Sequence, residues 1–113
     1  MNHTPFVYSA LVTEVYDGDT ITVDIDLGFD IVMQNQKLRL FGINTPEVRG
    51  KSRPEGLESR DALRDQILHE EVLIKTHRDK KGKYGRYLGT VFFEGTNINE
   101  LLVERGLAEF HDY

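Results

Sequence analysis

A chain of 113 residues, 39% hydrophobic and 29% charged, has room for one core and too little length for two ordinary domains, so a single domain over 1–113 is expected. It has no cysteine, which excludes a disulfide framework and thiolate metal sites, and no apolar run nears the roughly 20 residues of a membrane helix. A net charge of −5, taken as one total, argues against a nucleic-acid partner.

The opening MNHTPFVYSA lacks the basic-then-apolar layout of a secretory leader, the expectation for an intracellular chain or for one whose leader has been trimmed. FVYSALVTEV (6–15) alternates as a first strand, and DGD supplies a turn. TITVDIDL (20–27) puts Ile21, Val23, Ile25 and Leu27 on one face and Thr20, Thr22, Asp24 and Asp26 on the other. Gly28 turns the chain, FDIVM (29–33) returns, QNQ is expected to turn again, and KLRLFGI (37–43) makes a fourth run. The loop NTPEVRGKSRPEG leads into a helix over 54–70, with Pro54 in its first turn and Leu57, Leu63, Ile67 and Leu68 as its buried stripe. VLIKTH (72–77) and RYLGTVFFE (86–94) are strands around the basic turn RDKKGKYG. A second helix spans 97–106, with Asn97 as cap, Glu100 three residues on and Gly106 as its stop. This order fits an α+β, mainly β fold, a five-stranded Greek-key barrel of the OB type with two helices. An SH3-like barrel or a small α+β sandwich fits it nearly as well.

The charge is unevenly spread. Residues 37–53 hold Lys37, Arg39, Arg49, Lys51 and Arg53, and residues 75–86 hold Lys75, Arg78, Lys80, Lys81, Lys83 and Arg86. Those windows carry 11 of the 14 basic residues and only two acids, Glu47 and Asp79. A phosphate-bearing partner responds to the local field of a cleft rather than to the molecular total. The plainer reading is a set of solvated faces.

Four islands stand out: YDGDT (16–20), LRLFGINTPE (38–47), KYGR (83–86) and NINELLVERGLA (97–108). In this order and spacing the chain resembles the staphylococcal nuclease (thermonuclease) family from about Val12 to Ala108. The resemblance implies an OB barrel, a calcium ion, and hydrolysis of DNA and RNA, single strands preferred, that leaves 3′-phosphates. A monomer with no membrane partner is expected. Carried over by position, Asp19 matches a metal-binding aspartate, Asn44 falls where the second ligand aspartate belongs, and Thr45 keeps the position whose carbonyl also contacts the metal. Arg39 and Arg86 match the two catalytic arginines, Glu47 the proposed general base, and Lys83 and Tyr84 the contacts to the nucleotide's phosphate.

The chemistry asks for these residue types. Hydrolysing a phosphodiester brings a nucleophile to an anionic phosphorus, so a hard cation with oxygen ligands and forked guanidiniums can neutralise charge as it builds. A glutamate can ready the attacking water where its surroundings raise its basicity. An amide oxygen also ligates calcium, but one formal charge fewer predicts a roughly tenfold to thousandfold weaker site. The family chain continues past GLA through base-stacking tyrosines, whereas this one reads EFHDY. Tyr84 is then the stronger stacking candidate and Tyr113 the weaker, with looser substrate binding expected.

Each residue has a plainer reading. Asp17 and Asp19 can be turn residues, Glu47 with Arg39 a structural ion pair, and Lys83 and Arg86 solvated charges. Asp24 and Asp26 read as solvated, and His3, His69, His77 and His111 lack metal spacing. Two functions compete with the nuclease, a non-catalytic single-strand binder and a protein-interaction barrel.

Overall fold

The computed structural model describes residues 6–77 and 87–111. Alternating side chains build three long antiparallel strands in sequence: β1 (Val7–Asp17), β2 (Thr20–Gly28) and β3 (Ile31–Leu40). A two-residue bridge, β4 (Ile43–Asn44), and a single 3₁₀ turn, Gly50–Ser52, lead into helix α1 (Arg53–Ile67). Strands β5 (Glu71–Thr76) and β6 (Tyr87–Phe93) follow, then the short β7 (Thr96–Asn97), helix α2 (Ile98–Glu104) and the short β8 (Glu109–Phe110). The five long strands run β3-β2-β1-β5-β6, and β3 closes onto β6 in parallel, Arg39 opposite Leu88. This is the closed five-stranded barrel of the OB type with two helices, so neither the SH3-like barrel nor the sandwich is the fold.

The expected turn at QNQ does not form. β3 runs through it, and the register with β2 slips between Val23 and Ile25, which face Gln36 and Met33. The extra residue is taken up as a bulge in which Asn35 has φ 56°, a conformation asparagine tolerates. Its amide, lost to the ladder, donates to Asp24 Oδ1 at 2.9 Å, and Gly28 N donates to Asp26 Oδ1 at 2.8 Å. Asp24 and Asp26 therefore hold strand irregularities rather than simply facing solvent.

The inner faces of the strands meet α1 and α2 in one core that contains Val12, Ile21, Leu40, Leu63, Ile67 and Leu102. The stripe of α1 differs from expectation. Gly56, Ser59, Leu63 and Ile67 are buried, while Leu57 and Leu68 are half-buried, and the helix ends at Ile67 with His69 left-handed at φ 65°. Small residues at its start let α1 approach the loop before it. The cap of α2 is as read: Asn97 accepts from Glu100 N at 3.0 Å, and Gly106 follows the last turn. Buried Asn99 ties α2 to the barrel. Its Oδ1 accepts from Val91 N at 3.1 Å, and its Nδ2 donates to Phe41 O at 2.9 Å and Gly89 O at 3.2 Å. Phe41 stacks on His77 at 3.7 Å, and burial, then nearby Lys75, holds that imidazole below its usual range. The segment that leaves β3 toward the site is thus braced from two sides.

Candidate active site

The turn between β1 and β2 is built by its own side chains. Asp17 Oδ1 accepts from Asp19 N at 3.1 Å, an Asx turn that points Asp19 inward, where it is 5% exposed. Three donors then meet the Asp19 carboxylate. Thr20 Oγ1 donates to Oδ1 at 3.2 Å, while Thr45 N and Arg39 Nη1 both reach Oδ2 at 3.0 Å. The β2–β3 register puts Arg39 opposite Thr20, which is why an arginine twenty residues away lies beside this carboxylate.

Arg39 spreads its fork further. Nη2 donates to Ile43 O at 3.0 Å and to Asn44 Oδ1. Because a guanidinium only donates, Asn44 must present its oxygen there, and Nδ2 turns toward His111 Nδ1 at 3.0 Å. The β4–β8 pairing, Asn44 opposite Glu109, brings His111 to the site from the far end of the chain, fixed by His111 N donating to Gly42 O at 2.7 Å. The plainer reading of Glu47 and Arg39 as a structural ion pair does not hold. Arg39 pairs with Asp19, and Glu47 pairs loosely with Arg49 at 3.8 Å, both side chains exposed.

Glu47 lies in the loop after β4, on the rim of a cleft of about 580 Å³ that also contains Asp17, Asp19, Arg39, Asn44 and Thr45. Its placement depends on Gly56, because a Cβ there would overlap the Glu47 carbonyl oxygen and lie 2.9 Å from that of Pro46. Gly56→Ala is expected to lose about 2 kcal/mol of stability, an overpacking cost of about 3 less about 1 gained in helix propensity. Urea unfolding measures it. Under the nuclease activity expected from the sequence, displacement of the Glu47 loop lowers cleavage about 100-fold, since misplacement by about 1 Å can cost that much. An alanine variant with unchanged cleavage would show that this packing does not set the glutamate.

The oxygens gathered here suit a hard cation. Asp17 and Asp19 sit close enough that burial, then the hydrogen bond and charge of Asp19, push the Asp17 carboxyl up to about 7. Thr45 Oγ1 is buried with no hydrogen-bond partner among the described residues. Carboxylate, amide and hydroxyl oxygens are the donors that calcium takes. Among the described residues no group of three or more His, Cys, Asp or Glu gathers in metal-binding geometry, so any site here leans on Asn44 and Thr45. The guanidinium of Arg39 now holds Asp19 Oδ2 and Asn44 Oδ1, two of the oxygens a cation would take.

Of the residues singled out from the sequence, the fold brings Asp19, Arg39, Asn44, Thr45 and Glu47 into one cleft. Lys83, Tyr84, Arg86 and Tyr113 lie outside the described residues. Two neighbours went unassigned in the sequence. His111 arrives through a two-residue bridge that no local pattern announces, and Tyr16, 60% exposed, lines the same cleft. Its place immediately before DGDT is the one signal that marks it.

A model of the staphylococcal nuclease homologue family matches residues 37–113. A thermonuclease of Staphylococcus hyicus is 33% identical over 105 residues, covering 90% of this chain and 59% of that protein. A thermonuclease of Staphylococcus intermedius is 32% identical over 108 residues, covering 93% and 61%. An uncharacterized endonuclease of Haemophilus influenzae is 33% identical over 97 residues, covering 86% and 49%. The chain therefore spans less than two thirds of the length of each of these relatives. With a closed OB-type barrel and a family match over more than half its length, the chain belongs to the staphylococcal nuclease family.

Proposed function

We propose that residues 1–113 form one nuclease domain that hydrolyses phosphodiester bonds of DNA and RNA, single strands preferred, with calcium as cofactor. The observation that carries this reading is the convergence of Arg39, Asn44 and the Thr45 amide with the buried Asp19 carboxylate, in a cleft rimmed by Glu47. Relatives named thermonuclease and endonuclease support it. Asp19, Asn44 and Thr45 would hold the ion, which when bound supplies positive charge to a phosphate oxygen and to the water beside it. Glu47 takes the proton of the attacking water. The Arg39 fork turns from Asn44 to an equatorial phosphate oxygen as charge develops, and Arg86 is the second arginine proposed to neutralise that charge. Lys83 and Tyr84 hold the nucleotide's phosphate. The water oxygen bonds to phosphorus as the P–O5′ bond breaks, the 5′-oxygen leaves and takes a proton from solvent as a 5′-hydroxyl, and a terminal 3′-phosphate remains on the other product.

Incubation of a single-stranded oligonucleotide with calcium at about 10 mM, above the roughly 10⁻⁴–10⁻³ M range of weak calcium modules, tests the reading. Cleavage that chelator abolishes is expected. None from folded protein would overturn it. One observation favours a second reading, a binder that does not cut. Glu47 is exposed and engaged with Arg49, and Arg39 is committed to Asp19 and Asn44. Salt-sensitive retention of oligonucleotides without cutting would select that reading.

A further inference from the structure

A second recess adjoins the catalytic cleft. It has a volume of about 410 Å³, and Tyr16 and Val48 line both spaces, so the two lie side by side across that pair. Its wall is the α1 face that carries Arg60 and Arg64, four residues apart and therefore neighbours on the helix surface. Only three basic residues lie outside the two basic windows of the sequence, and two of them are here. Arg64 is fixed in advance, because Nε and Nη2 donate to Val15 O at 3.2 and 3.0 Å. Arg60 pairs with its sequence neighbour Asp61 at 3.0 Å, an exposed carboxylate that gives up such a bond at little cost. Against these two guanidiniums and the His69 ring, the lining holds one acid, Glu14.

A structural role for Arg64 accounts for the Val15 carbonyl. It does not account for a second arginine beside it, nor for an exposed tyrosine shared with the cleft. Guanidinium forks match phosphate oxygens, and an exposed aromatic ring offers a face to any base. We propose that this recess is a backbone subsite for the single strand, in which Arg60 and Arg64 hold a phosphate flanking the scissile one and Tyr16 stacks on the base between them. The proposal rests on the nucleic-acid reading of the catalytic cleft. It extends the substrate's path from the cleft toward α1.

The test is fluorescence anisotropy of a labelled single-stranded oligothymidine of about 12 nucleotides, within the span an OB barrel covers, in chelator so that nothing is cut. Arg60→Gln is expected to weaken binding about fivefold and to reduce the slope of log affinity against log salt by about 0.7, the value for one phosphate contact on a single strand. Tyr16→Ala weakens it about tenfold with the salt slope unchanged, as loss of stacking requires. Arg105→Gln removes the same charge from an exposed position after α2 and leaves affinity as it was. Arg60→Lys restores the slope. Thermal melting checks that each variant is folded. Wild-type binding with Arg60→Gln within twofold of it overturns the subsite and leaves the nuclease reading standing. Equal losses in Arg60→Gln and Arg105→Gln also overturn it, since only the general field would then be at work. No binding by the wild type at low salt, together with no cutting in calcium, overturns both.

Discussion

At the proposed calcium site, replacing Asn44 by aspartate is expected to raise calcium affinity by about 10- to 1,000-fold, because ligand charge is one of the quantities that tunes these sites. The side chain is already in place. Its amide oxygen reaches the Arg39 fork beside Asp19, and a carboxylate of the same length keeps that oxygen where it is while adding a formal charge. The second oxygen replaces the amide nitrogen opposite His111 Nδ1. Calorimetric titration with calcium measures the affinity directly, independently of any cleavage. The same gain appears as a melting temperature that climbs with calcium at lower concentrations than in the wild type, since a ligand that binds only the folded state stabilises it by mass action. Under the nuclease reading, half-maximal cleavage moves to lower calcium by the same factor. An unchanged titration would remove position 44 from the ligand set and leave Asp19 and Thr45 to hold the ion unaided.

What the sequence made legible was whatever the pattern of nearby residues determines. TITVDIDL alternates because one face is buried, and DGDT turns because Asp17 can bond the amide two residues on. Asn97 and Glu100 mark the start of α2, since an amide oxygen there meets an otherwise unpaired backbone donor. QNQ misled for a related reason. Polar residues with an asparagine that accepts positive φ describe a bulge as well as a turn, and only the partner strand, through Asp24, decides between them.

The site was legible as a list and illegible as a geometry. Asp19, Arg39, Asn44, Thr45 and Glu47 are carried over from the family resemblance as candidates, but their partners are not. His111 reaches Asn44 across 67 positions, and Arg64 reaches Val15 across 49. Gly56 reads as a poor helix residue until the Glu47 carbonyl is seen lying against it. Arg60 and Arg64 sit in an acidic stretch of α1 whose charge pattern conceals them, and the folding of β1 against that helix sets them beside Tyr16.

Under the proposed calcium-dependent nuclease reading, removing the Arg39 side chain is expected to move cleavage and calcium binding in opposite directions. Arg39→Ala lowers the rate about 10³-fold, the lower end of what one well-placed arginine contributes to phosphoryl transfer. It also leaves the Asp19 carboxylate, 7% exposed at its side chain, without its ion-pair partner, which costs about 3 kcal/mol in the absence of calcium. Yet the same deletion leaves Asp19 Oδ2 to the Thr45 amide, releases Asn44 Oδ1 and takes a positive charge away from the place a cation would occupy, so calcium binds more tightly and restores much of the lost stability. Melting temperature with and without calcium, set beside calorimetry and single-turnover cleavage, separates these effects. Arg39→Lys divides them further. An ammonium can still neutralise Asp19 but cannot span Asp19, Asn44 and the Ile43 carbonyl at once, so stability is largely kept while cleavage is not. Should Arg39→Ala cleave at the wild-type rate, the guanidinium serves only to hold the turn together. Should its calcium affinity fall instead, the arginine organises the ion's ligands rather than competing for them.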